Sequence, residues 1–234
     1  MLSRPSTLHS AAPGVGLSVV RLRIVRPLAL LKRSGDLCFA LALLTLGSPL
    51  LIAIAIAVKC TSQGPVFFVQ QRIGRGYRRF GCIKFRTMEL DADRRLQSLL
   101  ASCPQLRAEF EKDHKLRNDP RITPIGQFLR TTSLDELPQL LNVLNGEMSL
   151  IGPRPERPEL EYQLECCIPH YRKRHWMRPG LSGWAQVCAP YASSIEDSDL
   201  KLSYDLYYLR HFSTWLDLVI LFRTVKTVLK AGGR

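Results

Sequence analysis

An uncharged apolar run from Leu37 to Val58 restricts this chain more than any other feature. At about 1.5 Å per residue, a straight helix over it would measure roughly 33 Å, enough to cross a bilayer core. Two features oppose simple crossing. Gly47-Ser48-Pro49 interrupts the run near its middle, and a proline there kinks a helix. Both flanks are basic: Arg21, Arg23, Arg26, Lys32 and Arg33 precede the run, and Lys59, Arg72, Arg75, Arg78 and Arg79 follow it. Cationic flanks hold a segment's ends in the cytoplasm. A segment that enters the membrane, turns at Ser48-Pro49 and leaves on the same side satisfies both observations. In that arrangement the Ser48 hydroxyl is placed to bond a carbonyl that Pro49 leaves free. A mildly kinked spanning helix is the alternative. A cleaved signal peptide, read from Ala53-Ile54-Ala55, fits less well, because apolar residues continue past that box.

The net charge of +13 over 234 residues points to nucleic acid, an anionic membrane surface or phosphorylated substrates. Basic residues gathered at the edges of an apolar segment favour headgroups. Neither zinc-finger spacing nor an RNA-recognition signature occurs, so no nucleic-acid partner is expected. The seven cysteines are odd in number and form no C-x-x-C pair. This speaks against a disulfide framework and for a reducing cytosol. Cys166-Cys167 with His170 reads as ordinary helix thiols rather than a metal site. Gly74-Arg75-Gly76 lacks the third glycine of a dinucleotide loop, and there is neither a Walker sequence nor a G-x-S-x-G elbow.

Pro65 to Ile73 reads as a strand, Gly74-Arg75-Gly76 as a turn, and Phe80 to Thr87 as the returning strand of a β-hairpin. Leu90 to Lys115 is charged and helical, broken near Cys103-Pro104. Arg178 to Val187 is a Gly/Pro-punctuated loop running into a short extended piece. Trp215 to Leu229 is apolar with Arg223, Lys226 and Lys230 spaced along it. That pattern fits a helix lying in a membrane interface, with Trp215 and Tyr207-Tyr208 at headgroup level, or a helix packed on the core. The expected fold is α+β and mostly helical, a small β-hairpin packed with helices. A re-entrant N-terminal membrane helix and interfacial amphipathic helices are added to it. Residues 1–31 form a basic extension expected to be mobile, 32–59 the re-entrant helix, and 60–234 a cytoplasmic catalytic domain that includes the interfacial C-terminal helix.

Residues 130 to 154 hold the candidate chemistry. Leu137, Leu140, Leu141 and Leu144 form one helical stripe, and Asn145-Gly146 ends it. Asp135 and Glu136 fall at its start. Ser133 as cap makes a capping box but puts Pro138 where a helical bond would be lost. Asp135 as cap leaves Pro138 in the first turn and is the better fit. The plain reading is two carboxylates favouring a helix dipole. The sharper one makes Asp135 a nucleophile, kept ionised at a helix N-terminus. It would attack phosphorus once Arg130, Arg154 or a metal has offset the repulsion.

Several ordered blocks carry a resemblance. They are Lys32-Arg33-Ser34-Gly35-Asp36, Ser48-Pro49, Lys84-Phe85-Arg86-Thr87-Met88, and Arg130-x4-Asp135-Glu136-Leu137-Pro138-Gln139. Asn142-Val143-Leu144 with Gly146, Gly152-Pro153-Arg154-Pro155, and Arg178-Pro179-Gly180 with Gly183-Trp184-Ala185-Gln186-Val187 complete the set. From about Lys32 to Lys230 the chain resembles the bacterial sugar transferase family, the monotopic polyprenyl-phosphate phosphoglycosyl transferases. The resemblance implies transfer of a sugar 1-phosphate from a nucleotide sugar, by family habit a UDP sugar, to polyprenyl (undecaprenyl) phosphate. This is the step that initiates exopolysaccharide, capsule, O-antigen or glycoprotein glycan assembly. It implies Asp135 as the residue that becomes a phosphosugar ester, Glu136 as its catalytic partner, and Mg2+ held at Asp135. Lys84, Arg130 and Arg154 match phosphate-holding positions, with Arg86 and Arg178 as further candidates. Ser48 and Pro49 match the break in the re-entrant helix.

The implied location is the inner (cytoplasmic) membrane, with the catalytic domain on its cytoplasmic face and membrane lipids as partners. A homo-oligomer is compatible with it. The basic extension, the longer stretch between Met88 and Ile122, and the lack of the multi-span domain of the largest members are departures. They bear on sugar and pathway rather than on chemistry. A basic membrane-tethered scaffold without catalysis is the competing class. It accounts for the charge and the apolar run but not for Asp135-Glu136 and their arginines.

Overall fold

Pro49 bends the apolar run as its chemistry requires. Helix α1 (Arg26–Leu46) and helix α2 (Ser48–Thr61) meet at Gly47 with a bend of 63°. Among the described residues no single helix is long and apolar enough to cross a membrane, but this bent pair passes that test together. Proline lacks the N–H that would reach the Thr45 carbonyl, and the Ser48 hydroxyl donates to that carbonyl instead, at 2.8 Å. The freed group is therefore satisfied locally, as expected. The computed structural model describes residues 26–113, 116, 118–189 and 194–229. Of the extension expected over residues 1–31, residues 1–25 lie outside the described residues, as does Lys230, and 26–31 belong to α1.

The first arm of the bend packs on the later helix and strand of residues 139–151, and the second on the helix of residues 124–131. Strands β1 (Phe67–Ile73) and β2 (Arg79–Phe85) form the expected antiparallel hairpin, with Phe67 opposite Phe85 and Ile73 opposite Arg79. Helices α3 (Ala92–Ser102) and α4 (Pro104–Asp113) pack on each other, parted at Cys103-Pro104. Helix α5 (Pro124–Thr131) follows, capped by the Thr123 hydroxyl, which accepts from the Gly126 N–H. Helix α6 is Gln139–Asn145. Ala40 of α1 packs with Phe80 and Cys82 of β2 and with Leu140 and Val143 of α6. Ile54 and Val58 of α2 pack with Phe85 and with Leu129 of α5.

Strand β3 (Ser149–Ile151) then pairs in parallel with β4 (Gly180–Ser182). Helix α7 (Pro158–Cys167) and a 3-10 turn over Tyr171–Trp176 lie between them. The expected extended piece after the Gly/Pro loop is this three-residue strand, and Trp184–Cys188 is instead a short helix, α8. Helices α9 (Ile195–Arg210) and α10 (Thr214–Leu229) close the fold. Ile220 of α10 is fully buried against Ile151, Tyr208 and Leu209. Trp215, Leu218, Phe222 and Val225, at helical spacing on α10, remain exposed, Trp215 at 74% and Phe222 at 72%. One face of α10 thus packs on the core, while another presents an apolar stripe.

Helix α1 is tied to the rest of the domain by charged side chains. Lys32 Nζ lies 2.8 Å from Asp217 Oδ2 of α10. Arg33 donates to the Val143 and Leu144 carbonyls at the end of α6, at 2.7 and 3.1 Å. Buried Asp36 accepts from the Ser149 hydroxyl at 2.7 Å and from the Leu150 N–H at 3.3 Å. These contacts give the Lys32-Arg33-x-x-Asp36 block a role that the sequence alone did not assign.

Candidate functional site

The carboxylate pair does not begin a helix. Ser133 takes a left-handed conformation, φ 59°, and Leu134–Glu136 form a separate 3-10 turn. The Glu136 N–H reaches the Ser133 carbonyl and the Leu137 N–H the Leu134 carbonyl, each at 3.3 Å. Helix α6 starts only at Gln139, so neither expected capping register forms and Asp135 is not held by a helix dipole. The physical reason is local. Ser133 turns the chain out of α5, Leu134 packs into the α2–α5 core, and Pro138 lacks the N–H that would carry a helix back through the turn. The C-terminus is as expected, with Gly146 at φ 83°. The buried face of α6 is Gln139, Leu140, Asn142 and Val143, while Leu141 is exposed. Asn142 is buried because it bridges to the hairpin. Its Nδ2 donates to the Gly81 carbonyl at 2.7 Å, and its Oδ1 accepts from the Ile83 N–H at 3.0 Å.

The two adjacent carboxylates live in different surroundings. Glu136 Oε1 receives Lys84 Nζ and Arg154 Nη2, both at 2.6 Å, and Oε2 receives Arg154 Nη1 at 3.2 Å. Burial alone would raise the Glu136 carboxyl, but the Arg154 and Lys84 charges and hydrogen bonds outweigh it and hold it well below the usual carboxylate range. Asp135 is only 9% exposed, yet no hydrogen bond or ion pair engages its carboxylate among the described residues. Burial, with the Glu136 charge adding to it, pushes the Asp135 carboxyl up against the opposing charges of Lys84, Arg130 and Arg154. Arg130, in the last turn of α5, is steadied by its Nε–H donating to Thr87 Oγ1 at 2.9 Å. The Asp135 charge counters the effect of burial on its guanidinium.

Lys84, Arg130 and Arg154 are therefore brought together around Asp135 and Glu136. Three cations facing two carboxylates leave one positive charge in excess, which suits an anionic substrate. Arg86 and Arg178 lie elsewhere. Arg86 donates to the Ser62 carbonyl and hydroxyl at 2.8 and 2.7 Å, fastening the end of α2 to the hairpin. The Arg178 Nε–H donates to the Gly146 carbonyl at 2.8 Å, at the opposite end of α6 from the pair. Metal ligation is tested by the donor set. No cluster of three or more His, Cys, Asp or Glu able to hold a metal occurs among the described residues. Mg2+ is commonly held by one or two carboxylates together with substrate phosphates and water, and the unengaged Asp135 fits that mode.

Two further features border the pair. An apolar cavity of about 180 Å³ lies between α1 and α2, lined by Leu44, Leu51, Ile52, Ala55, Phe67, Phe85, Pro138 and Leu141. Behind Arg154 stands a buried group that sequence reading missed: Glu161, Tyr171, Arg174, His175 and Asp205. The only sequence sign of it is the polar spacing of α9 and of Tyr171–Trp176, which reads as ordinary solvated helix.

A mostly helical domain strapped to a bent apolar helix pair carries an Asp–Glu pair ringed by cations, an arrangement suited to binding an anion. Sequence comparison places it further. Residues 28–231 match the model of the bacterial sugar transferase family, and the chain belongs to that family. It is 42% identical over 205 residues to the UDP-N-acetylgalactosamine-undecaprenyl-phosphate N-acetylgalactosaminephosphotransferase of Aeromonas hydrophila, covering 88% of this chain and 45% of that one. It is 42% identical over 221 residues to the undecaprenyl-phosphate galactose phosphotransferase of Salmonella typhimurium, covering 92% and 45%. Against the exopolysaccharide production protein ExoY of Rhizobium meliloti it is 39% identical over 211 residues, covering 89% and 90%. The chain thus spans less than half the length of the first two relatives and most of the third.

Proposed function

We propose that this chain moves a sugar 1-phosphate from a UDP sugar to undecaprenyl phosphate, the initiating step of a surface polysaccharide or other lipid-linked glycan. The observation that carries the reading is the contrast within the pair. Glu136 is held by two cations, while Asp135, beside it and largely shielded from water, keeps its carboxylate unengaged. An unengaged carboxylate in a cation-lined site is suited to attack phosphorus. A carboxylate oxygen of Asp135 bonds to the sugar-linked phosphorus, the bond from that phosphorus to the bridging oxygen breaks, and uridine monophosphate leaves with the electron pair. A phosphate oxygen of the lipid then attacks the same phosphorus and displaces Asp135, giving the lipid diphosphate sugar. Lys84, Arg130 and Arg154 bind and orient the phosphates, and Glu136 holds Lys84 and Arg154 in place. Mg2+ bound by Asp135 and the donor diphosphate would supply further neutralisation of phosphate charge.

The site's surroundings support a membrane setting. Leu46 at the bend is 82% exposed, and Leu43 and Leu50 beside it are also exposed. A re-entrant anchor in the inner membrane places the pair at the cytoplasmic headgroups. The exposed stripe of α10 then lies in the interface, and the apolar cavity between α1 and α2 receives part of the isoprenoid chain. Single cysteines near Lys32 and Ser62, in a background without native cysteines, test the topology. An impermeant thiol reagent added to intact spheroplasts should label neither, and labelling of one alone would mean a spanning helix. The reaction is tested with a panel of nucleotide sugars, membranes and undecaprenyl phosphate. Release of the nucleoside monophosphate is expected. Release of the diphosphate would mean transfer of the sugar without its phosphate, and a scaffold would release neither.

A further inference from the structure

Arg154 reaches Glu136 from a loop whose main chain is fastened at nearly every residue. The Gly152 N–H donates to the Ser182 carbonyl and the Gly180 N–H to the Pro153 carbonyl, both at 2.9 Å. Arg72 Nη1 donates to the Pro155 carbonyl at 3.0 Å, and the Ile73 N–H to the Glu156 carbonyl at 3.1 Å. The carbonyl of Arg154 itself is held by a side chain, Arg174 Nη2, at 2.8 Å. Arg174 is in turn clamped from two elements. Its Nη2 lies 3.0 Å from Asp205 Oδ2 on α9, and its Nη1 donates to the Tyr171 hydroxyl at 2.5 Å. Glu161, bonded to His175 at 2.6 Å, stands 3.8 Å from Nη1.

This group is closed to water: Glu161 is 0%, Asp205 2% and Arg174 6% exposed. Buried ion pairs of this kind add little net stability over apolar packing of the same volume, so a geometric use accounts better for their presence. The geometry supplies one. The guanidinium is aimed at the carbonyl of the one residue in the loop that contacts the Asp135–Glu136 pair.

We infer that Arg174, clamped by Asp205 and Tyr171, is a positioning residue that sets the reach of Arg154 toward Glu136 and the donor phosphates. The inference rests on the reaction proposed above and deepens it. Displacement of a positioning group by about 1 Å can cost about a hundredfold in rate, so loosening this clamp should act on turnover.

A double-mutant cycle on the purified full chain tests it, reading nucleoside monophosphate release with undecaprenyl phosphate present. Asp205→Asn should lower kcat/KM about tenfold, chiefly through kcat, and Tyr171→Phe about threefold. In an Arg154→Ala background neither change should lower the rate further, because the group they position is gone. Thermal melting reports folding, and should Asp205→Asn unfold, the milder Tyr171→Phe cycle decides. Multiplied effects in the double mutants would overturn the inference, since a merely structural role loosens the protein whether or not Arg154 is present. Wild-type rates in both single variants would also overturn it. A wild type that releases no nucleotide from any donor would instead remove the reaction, and the positioning role with it.

Discussion

Two charged clusters share Arg154, and they are built on opposite terms. In front, Lys84, Arg130 and Arg154 face Asp135 and Glu136, with the Arg154 side chain 41% exposed and one carboxylate unengaged. Behind, Arg174, Asp205, Glu161, His175 and Tyr171 pair with one another out of contact with water, with Glu161 Oε2 and Arg174 Nε left without a hydrogen bond among the described residues. Both set arginine against aspartate and glutamate. The front cluster keeps an excess of positive charge and an available oxygen. The rear one is sealed from water, and Arg174 carries a bond out of it to a main-chain carbonyl. Availability marks the site of chemistry, and closure marks its support.

The largest effect expected from this contrast is on stability, at the rear. Glu161→Ala leaves His175 and Arg174 short of a fully buried partner, and breaking a buried pair from one side costs roughly 3–5 kcal/mol. Denaturant unfolding of the purified protein should show that loss. Lys84→Met in front should cost much less, since Arg154 still holds Glu136. Equal losses would erase the distinction between the clusters.

The order should reverse for catalysis. A hydrogen bond to a charged group contributes roughly 1.5–3 kcal/mol. Arg154→Ala should therefore lower kcat/KM by at least about tenfold, at about 1.4 kcal/mol per decade, while losing less stability than Glu161→Ala. Near-wild-type kinetics in that variant would remove Arg154 from the site.

The smallest effect separates the two adjacent carboxylates by pH. The Asp135 carboxyl is raised by burial, so keeping it ionised disfavours the folded state at neutral pH. Asp135→Asn should melt slightly above wild type at pH 7. The gain should fade as pH falls through the raised value toward the ordinary aspartate pKa of about 3.9. Glu136 is lowered by Arg154 and Lys84, so its stabilising contribution is present at neutral pH and lost only in strong acid. Glu136→Gln should accordingly melt below wild type at pH 7. Melting curves of the two variants across pH sharpen the comparison, and matching signs would refute it.

What the sequence made legible was local. The bend at Gly47-Ser48-Pro49, the end of α6 at Asn145-Gly146 and the hairpin each follow from the chemistry of a few adjacent residues. The start of α6 was misread because Ser133 adopts φ 59°, set by the packing of Leu134, which leaves no periodic trace. The cations around the pair could be listed from the sequence, but not which carboxylate they bind. That depends on Lys84 meeting Glu136 across 52 positions. Asp36 on Ser149 and Arg174 on the Arg154 carbonyl were illegible for the same reason. Strands β3 and β4, three residues each, are too short to show alternation.

The central claim is that Asp135, left free by its own neighbours, forms a covalent bond to the sugar phosphate. The direct measurement is a half-reaction without lipid acceptor: enzyme, Mg2+ and donor labelled in the sugar phosphate. About one nucleoside monophosphate per active site should be released, with label retained on the protein. Asp135→Asn should abolish both in a folded protein, while Glu136→Gln keeps a residual burst. Label retained by Asp135→Asn would assign the nucleophile elsewhere. A wild type that releases nucleotide only when undecaprenyl phosphate is present would contradict the covalent account and favour direct transfer.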